Sequence, residues 1–91
     1  MRQLIIIFEL KDSSLNRSAI YERIKQYGYF AFITANACIL KTNDTAAIVR
    51  DNLLILLKPG DKLYVGETSA PAAWTTSISE VVSEWIKKNL K

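Results

Sequence analysis

The chain has 91 residues, 49% hydrophobic and 23% charged, with 12 Lys and Arg against 9 Asp and Glu for a net charge of +3. That size fits one folded domain over residues 1–91, and the even spread of basic residues gives no concentrated nucleic-acid footprint. The absence of histidine excludes imidazole bases and Cys/His zinc centres, and the lone Cys38 excludes an internal disulfide, so a reducing, cytoplasmic setting is expected.

Leu4-Ile5-Ile6-Ile7-Phe8 is short, β-branched and unbroken before Glu9-Leu10-Lys11-Asp12-Ser13-Ser14, which predicts a central strand running into a polar loop. The run is too short to span a membrane, and Met1-Arg2-Gln3 ahead of it lacks the form of a signal peptide, so no membrane partner is expected. From about Ser18 to Tyr27, Ile20, Ile24 and Tyr27 make one helical stripe, with Gly28 where a left-handed stop belongs. Tyr29 to Thr34 and Ala37 to Lys41 read as two strands around an Ala35-Asn36 turn. Thr42-Asn43-Asp44-Thr45 offers caps for a second helix over Ala46 to Leu57, which Pro59-Gly60-Asp61 terminates.

Leu63-Tyr64-Val65 predicts a short fourth strand, and Ala70-Pro71-Ala72-Ala73 interrupts regular structure. Ser77-Ile78-Ser79-Glu80 has the spacing of a capping box for a last helix with the apolar stripe Ile78, Val81, Val82, Trp85 and Ile86. This order predicts an α+β fold, a ferredoxin-like βαββαβ sandwich with an added C-terminal helix.

The first strand is apolar on both faces, with Leu4, Ile6 and Phe8 on one and Ile5 and Ile7 on the other. An antiparallel sheet with a wet face alternates instead, so both faces need cover. One helix of about a dozen residues is too small to shield four strands. A homodimer packed sheet to sheet is therefore expected, with Ile5, Ile7, Phe30 and Phe32 as candidate interface residues.

Several segments look familiar: Tyr21-Glu22-Arg23-Ile24-Lys25-Gln26-Tyr27-Gly28, Thr42 to Asp51, Ala72-Ala73-Trp74 and Trp85-Ile86-Lys87. Together they resemble the small bacterial SinR-family proteins, relatives of CRISPR-associated protein 2 and the VapD toxins. The resemblance implies a ferredoxin-like fold and dimers formed through the sheets. Some members are metal-dependent nucleases or ribonucleases, and others bind nucleic acid as structural subunits. It further implies a catalytic carboxylate at the end of the first strand, shared between two copies and holding Mg or Mn, which here falls on Glu9 with Asp12 as a helper ligand.

This chain has Phe8-Glu9-Leu10 where family members usually show Tyr-Asp-Leu, which moves the carboxylate out by one methylene. It has Phe32, Ala35, Asn36 and Ala37 where members carry His, Glu, Ser and Thr, and Cys38 in place of a Trp. The expectation is thus a non-catalytic or vestigial dimeric module of a defence or toxin–antitoxin type system, binding RNA, DNA or a partner protein. The alternative is a metal-dependent endoribonuclease using Glu9 at the dimer interface.

Arg2, Lys11 and Arg17 are the candidate phosphate contacts, and Tyr27, Tyr29, Phe30 and Phe32 are candidate stacking surfaces. Trp74 and Ala70–Ala73 form a candidate protein-docking segment. Ser13-Ser14 has no nucleophile context and reads as loop, and Cys38 reads as a small buried hydrophobe.

Overall fold

A computed structural model describes the backbone of residues 1–91 and all side chains except those of residues 13–16. The elements are β1 (Arg2–Glu9), α1 (Ser13–Lys25), β2 (Tyr29–Thr34), β3 (Ala37–Thr42), α2 (Ala46–Leu54), β4 (Lys62–Glu67) and α3 (Glu80–Asn89). The strands form one antiparallel sheet in the order β2-β3-β1-β4. The fold is α+β, and β1 lies inside the sheet, as its unbroken apolar run requires.

The register divides the apolar residues between two faces. Leu4 opposes Leu40, which opposes Phe30, and Ile6 opposes Cys38, which opposes Phe32. This face packs on Ile20 and Ile24 of α1 and on Val49 and Leu53 of α2 to make the main core. Each such side chain taken out of water stabilises the fold by about 1.5–3 kcal/mol. On the other face Ile5 opposes Ile39 and Gly66, and Ile7 opposes Ala37 and Tyr64. There α3 sets Ile86 and Leu90 against Ile39 in a second, smaller cluster that includes Ile33, Trp74, Val82 and Trp85.

Helix α1 begins five residues before the predicted start; among the described residues Ile20 is the first buried one, and the stripe that predicted the helix runs from there. Ser13 and Ser14 thus fall in a helix rather than a loop, and their side chains lie outside the described residues. The helix stops as expected: Gly28 has φ +91°, and the Tyr27 and Gly28 amides donate to the Ile24 and Lys25 carbonyls. In α2 Thr45 accepts from the Ile48 amide at 3.2 Å. That helix ends at Leu54, short of the predicted Leu57, and tightens through bonds from the Leu56 and Leu57 amides to the Leu53 and Leu54 carbonyls.

The predicted capping box is replaced by a simpler cap, with Ser79 accepting from the Val82 amide at 3.2 Å. The start therefore moves by two residues, and the helix turns Val81 into solvent, 81% exposed, while Ile86 is buried. Val81 is not part of the packed stripe. Ile86→Ala should lower stability by about 2–4 kcal/mol through cavity formation. Val81→Ala should change it by less than about 0.5 kcal/mol. Urea unfolding of the two variants checks the difference.

Candidate functional site

β1 carries the candidate carboxylate, Glu9, at its C-terminal end, where the α1 start, the β2–β3 turn and the start of β4 converge. Glu9 stands opposite Lys62 in the ladder, and their charged groups lie 3.8 Å apart with both side chains well exposed. An exposed pair of this kind adds little stability, yet it places a cation where a metal would need to approach. Asp12 holds the N-cap position of α1, but its side chain makes no cap hydrogen bond. Among the described residues no three His, Cys, Asp or Glu side chains group together as a metal site. Glu9 and Asp12 in one copy therefore supply at most part of a coordination shell.

The three candidate phosphate contacts are not brought together. Arg2 is at the opposite end of β1 from Glu9, seven residues and roughly 23 Å away, where its guanidinium donates to the Asn43 carbonyl at 2.8 Å. Arg17 donates to the Ala35 carbonyl at 2.8 Å and lies over the Phe8 ring at 6.0 Å. Tyr21 donates to the same carbonyl at 2.8 Å, so this pair pins α1 to the β2–β3 turn. The Lys11 amide donates to the Asp61 carboxylate at 2.8 Å, and the same carboxylate accepts from the Lys58 amide at 2.9 Å. Arg17 and Asp61 have structural duties that their sequence neighbours do not announce.

The four candidate interface residues are also divided. Ile5 and Ile7 lie on the α3 face, whereas Phe30 and Phe32 point to the α1/α2 core, with the Phe32 ring 4.4 Å from that of Tyr21. A one-residue change of parity puts strand neighbours on opposite faces, so the two phenylalanines cannot share one flat interface with the isoleucines. On the α3 face, Ile39 and Ala31 are buried, Ile5 is half-buried, and Ile7 and Tyr64 remain 45% and 60% exposed. Cover over this face is therefore partial.

Tyr64 was not singled out by its sequence position, although alternation in Leu63-Tyr64-Val65 puts it on the face opposite its neighbours. Its ring lies along the strand over Gly66: a Cβ there would come within 2.6 Å of the Tyr64 Oη. With Ile7, Glu9, Lys62 and Leu63 it lines a shallow cleft of about 230 Å³.

Of the candidate stacking aromatics only Tyr29 is exposed. Tyr27 accepts a hydrogen bond from Asn52 at 2.8 Å, and the half-buried phenylalanines pack against the core. Trp74, the candidate docking residue, donates from its indole nitrogen to the Ser83 hydroxyl at 2.8 Å and packs under α3, so its ring serves the fold.

Cys38 is fully buried in the main core, as its place in an apolar strand predicts. Burial pushes its thiol up to about 12, against a smaller lowering by a backbone hydrogen bond. In the unfolded chain the thiol ionises near 9.0, so stability from the buried neutral form is fully present below that pH and is lost as pH rises toward 12. Relative to Cys38→Ala, the urea midpoint of the parent should fall more steeply above that value. A thiol reagent at neutral pH should modify Cys38 only in the unfolded protein.

Among the described residues no helix is long and apolar enough to cross a membrane. No protein-family model and no curated protein matches the chain.

Proposed function

We propose that this chain is a ferredoxin-like, homodimeric binding module, akin to the SinR-like relatives of CRISPR-associated protein 2 and VapD, that works without catalysis. The strand order β2-β3-β1-β4, with every neighbouring pair antiparallel and α1 and α2 packed on one face, supports the ferredoxin-like reading. The observation that carries the dimer is the uncovered strip of Ile7 and Tyr64 on the α3 face. It adjoins a mutually neutralising Glu9–Lys62 pair, and an apolar strip ending in one charge of each sign is complementary to its own copy across a two-fold axis. Pairing through it removes two partly exposed hydrophobes per copy from water, adding to the stability of a domain that buries only about two-thirds of the surface its unfolded chain exposes.

The non-catalytic part of the proposal rests on Glu9. Its carboxylate faces Lys62 rather than a second carboxylate, and a divalent cation there must compete with the ammonium. The second reading, a metal-dependent endoribonuclease, keeps one point in its favour: Glu9 is exposed beside the same strip, so a two-fold axis through Ile7 brings two copies of it toward each other. In that reading Glu9, helped by Asp12, holds Mg or Mn, which supplies an activated water at the phosphodiester. The RNA, DNA or protein that the module binds, and a place in a defence or toxin–antitoxin type system, belong to the same proposal.

Light scattering should give twice the monomer mass for the parent and the monomer mass for Ile7→Asp with its circular dichroism unchanged. A parent that stays monomeric at tens of micromolar removes the dimer. Purified protein with Mn should leave single-stranded RNA intact. Cleavage that Glu9→Ala abolishes would establish the ribonuclease reading instead.

A further inference from the structure

Helices α1 and α2 meet along a polar groove in which neither Glu9 nor the Ile7–Tyr64 strip takes part. Arg23 stands one residue before the buried Ile24, and Asn52 one before the buried Leu53, so both sit beside the core where the two helices adjoin. The Arg23 guanidinium donates from a terminal nitrogen to the Asn52 carbonyl at 3.0 Å, and the Asn52 side-chain amide donates to the Tyr27 hydroxyl at 2.8 Å. These two bonds tie the end of α1 to the last turn of α2. Beside them opens a cleft of about 250 Å³, lined by Arg23, Gln26, Tyr27 and Asn52.

The cleft holds unspent donors and one uncompensated charge. Arg23 is half-buried, and among the described residues its bond to the Asn52 carbonyl leaves Nε and the other terminal nitrogen without a partner. That edge of a guanidinium grips a carboxylate through two parallel hydrogen bonds. The Tyr27 hydroxyl accepts from Asn52 and keeps its own proton to give. Among the described residues no carboxylate lines the cleft, and the two that adjoin it in sequence are neutralised: Glu22 pairs with Lys25 at 3.4 Å and Asp51 with Arg50 at 2.9 Å. Arg23 itself is in no ion pair among the described residues. A half-buried cation of this kind has given up part of its hydration and gained no counter-charge in return. One positive charge suits a monoanion, because a phosphate dianion brings a second negative charge that no second cation meets. The cleft is also smaller than the roughly 300 Å³ at which drug-sized pockets begin, which restricts it to a ligand of few atoms.

We propose that the cleft between α1 and α2 binds a small carboxylate, with Arg23 pairing its two oxygens and the Tyr27 hydroxyl donating to one of them. Asn52 is a positioning residue: its carbonyl holds the guanidinium and its amide orients the Tyr27 hydroxyl. The site lies in the helix layer opposite the Ile7–Tyr64 strip, so it stands or falls apart from the dimer.

The test is proton–nitrogen NMR of the full chain titrated with sodium acetate, with sodium chloride at equal ionic strength as the reference. The Arg23 Nε–H and Asn52 side-chain amide signals should move saturably with acetate and stay in place with chloride. Tyr27→Phe should weaken acetate binding about tenfold, the worth of one hydrogen bond to a charged group. Arg23→Lys keeps the charge but loses the two-pronged edge, and should weaken binding at least as much with the circular dichroism unchanged. Lys41→Ala, on the other face of the sheet, should bind as the parent does. Equal movement with chloride, or acetate binding that survives both Tyr27→Phe and Arg23→Lys, would overturn the site. Inorganic phosphate at neutral pH should bind more weakly than acetate, and tighter binding of phosphate would overturn the carboxylate assignment. Light scattering judges the dimer separately in every case.

Discussion

β1 is apolar along both faces, and a strand of that kind is stable only inside a sheet with a layer above and a layer below. The chain meets the constraint with unequal layers. Two helices close one face over Leu4, Ile6 and Phe8, none of them appreciably exposed. The other face receives a single helix, about 10 Å wide against roughly 19 Å for four strands. That mismatch of width is why Ile39 is buried while Ile7 and Tyr64 stay open. The proposed pairing is a response to the same shortage of cover.

The constraint also sorts the polar chemistry. With both faces of β1 apolar, charged side chains are displaced to the strand ends, Arg2 at one and Glu9 at the other. Each end is then built by parts of the chain that arrive there for other reasons. Around Glu9 these are the α1 start, fastened by Arg17 and Tyr21 to the Ala35 carbonyl, and Lys62 of β4. Around Arg2 they are the β3–α2 connection, the segment after β4 and the C-terminal residue fastened by Gln3. At the first end Lys62 stands against Glu9 and Arg17 donates to a backbone carbonyl, and at the second Arg2 likewise donates to one.

Much of the architecture is legible in the residues because it depends on local chemistry. The β-branched run of β1, the Gly28 stop and the Thr45 cap each act within a few residues of themselves, and the structure carries all three. The candidate site is less legible. Phe30 and Phe32 look like Ile5 and Ile7 in composition, and only the register assigns them to opposite faces. Arg17 reads as a free surface cation until its carbonyl partner, 18 residues away, is in view. Val81 fits an apolar stripe at helical spacing, but a shift of the cap from Ser77 to Ser79 accompanies its turn into solvent.

By itself the sequence determined the kinds of element, their order, a buried neutral cysteine and the absence of imidazole chemistry, since these follow from residue type and short-range spacing. It also determined that both faces of β1 must be covered. Tertiary structure alone decided how far α3 covers the second face, that Glu9 meets Lys62, and that the Gln3 side chain meets the Lys91 backbone. Those outcomes depend on strand register and on contacts between residues up to 88 positions apart. Pairings over such separations are set by how the layers close on one another, which no local pattern encodes.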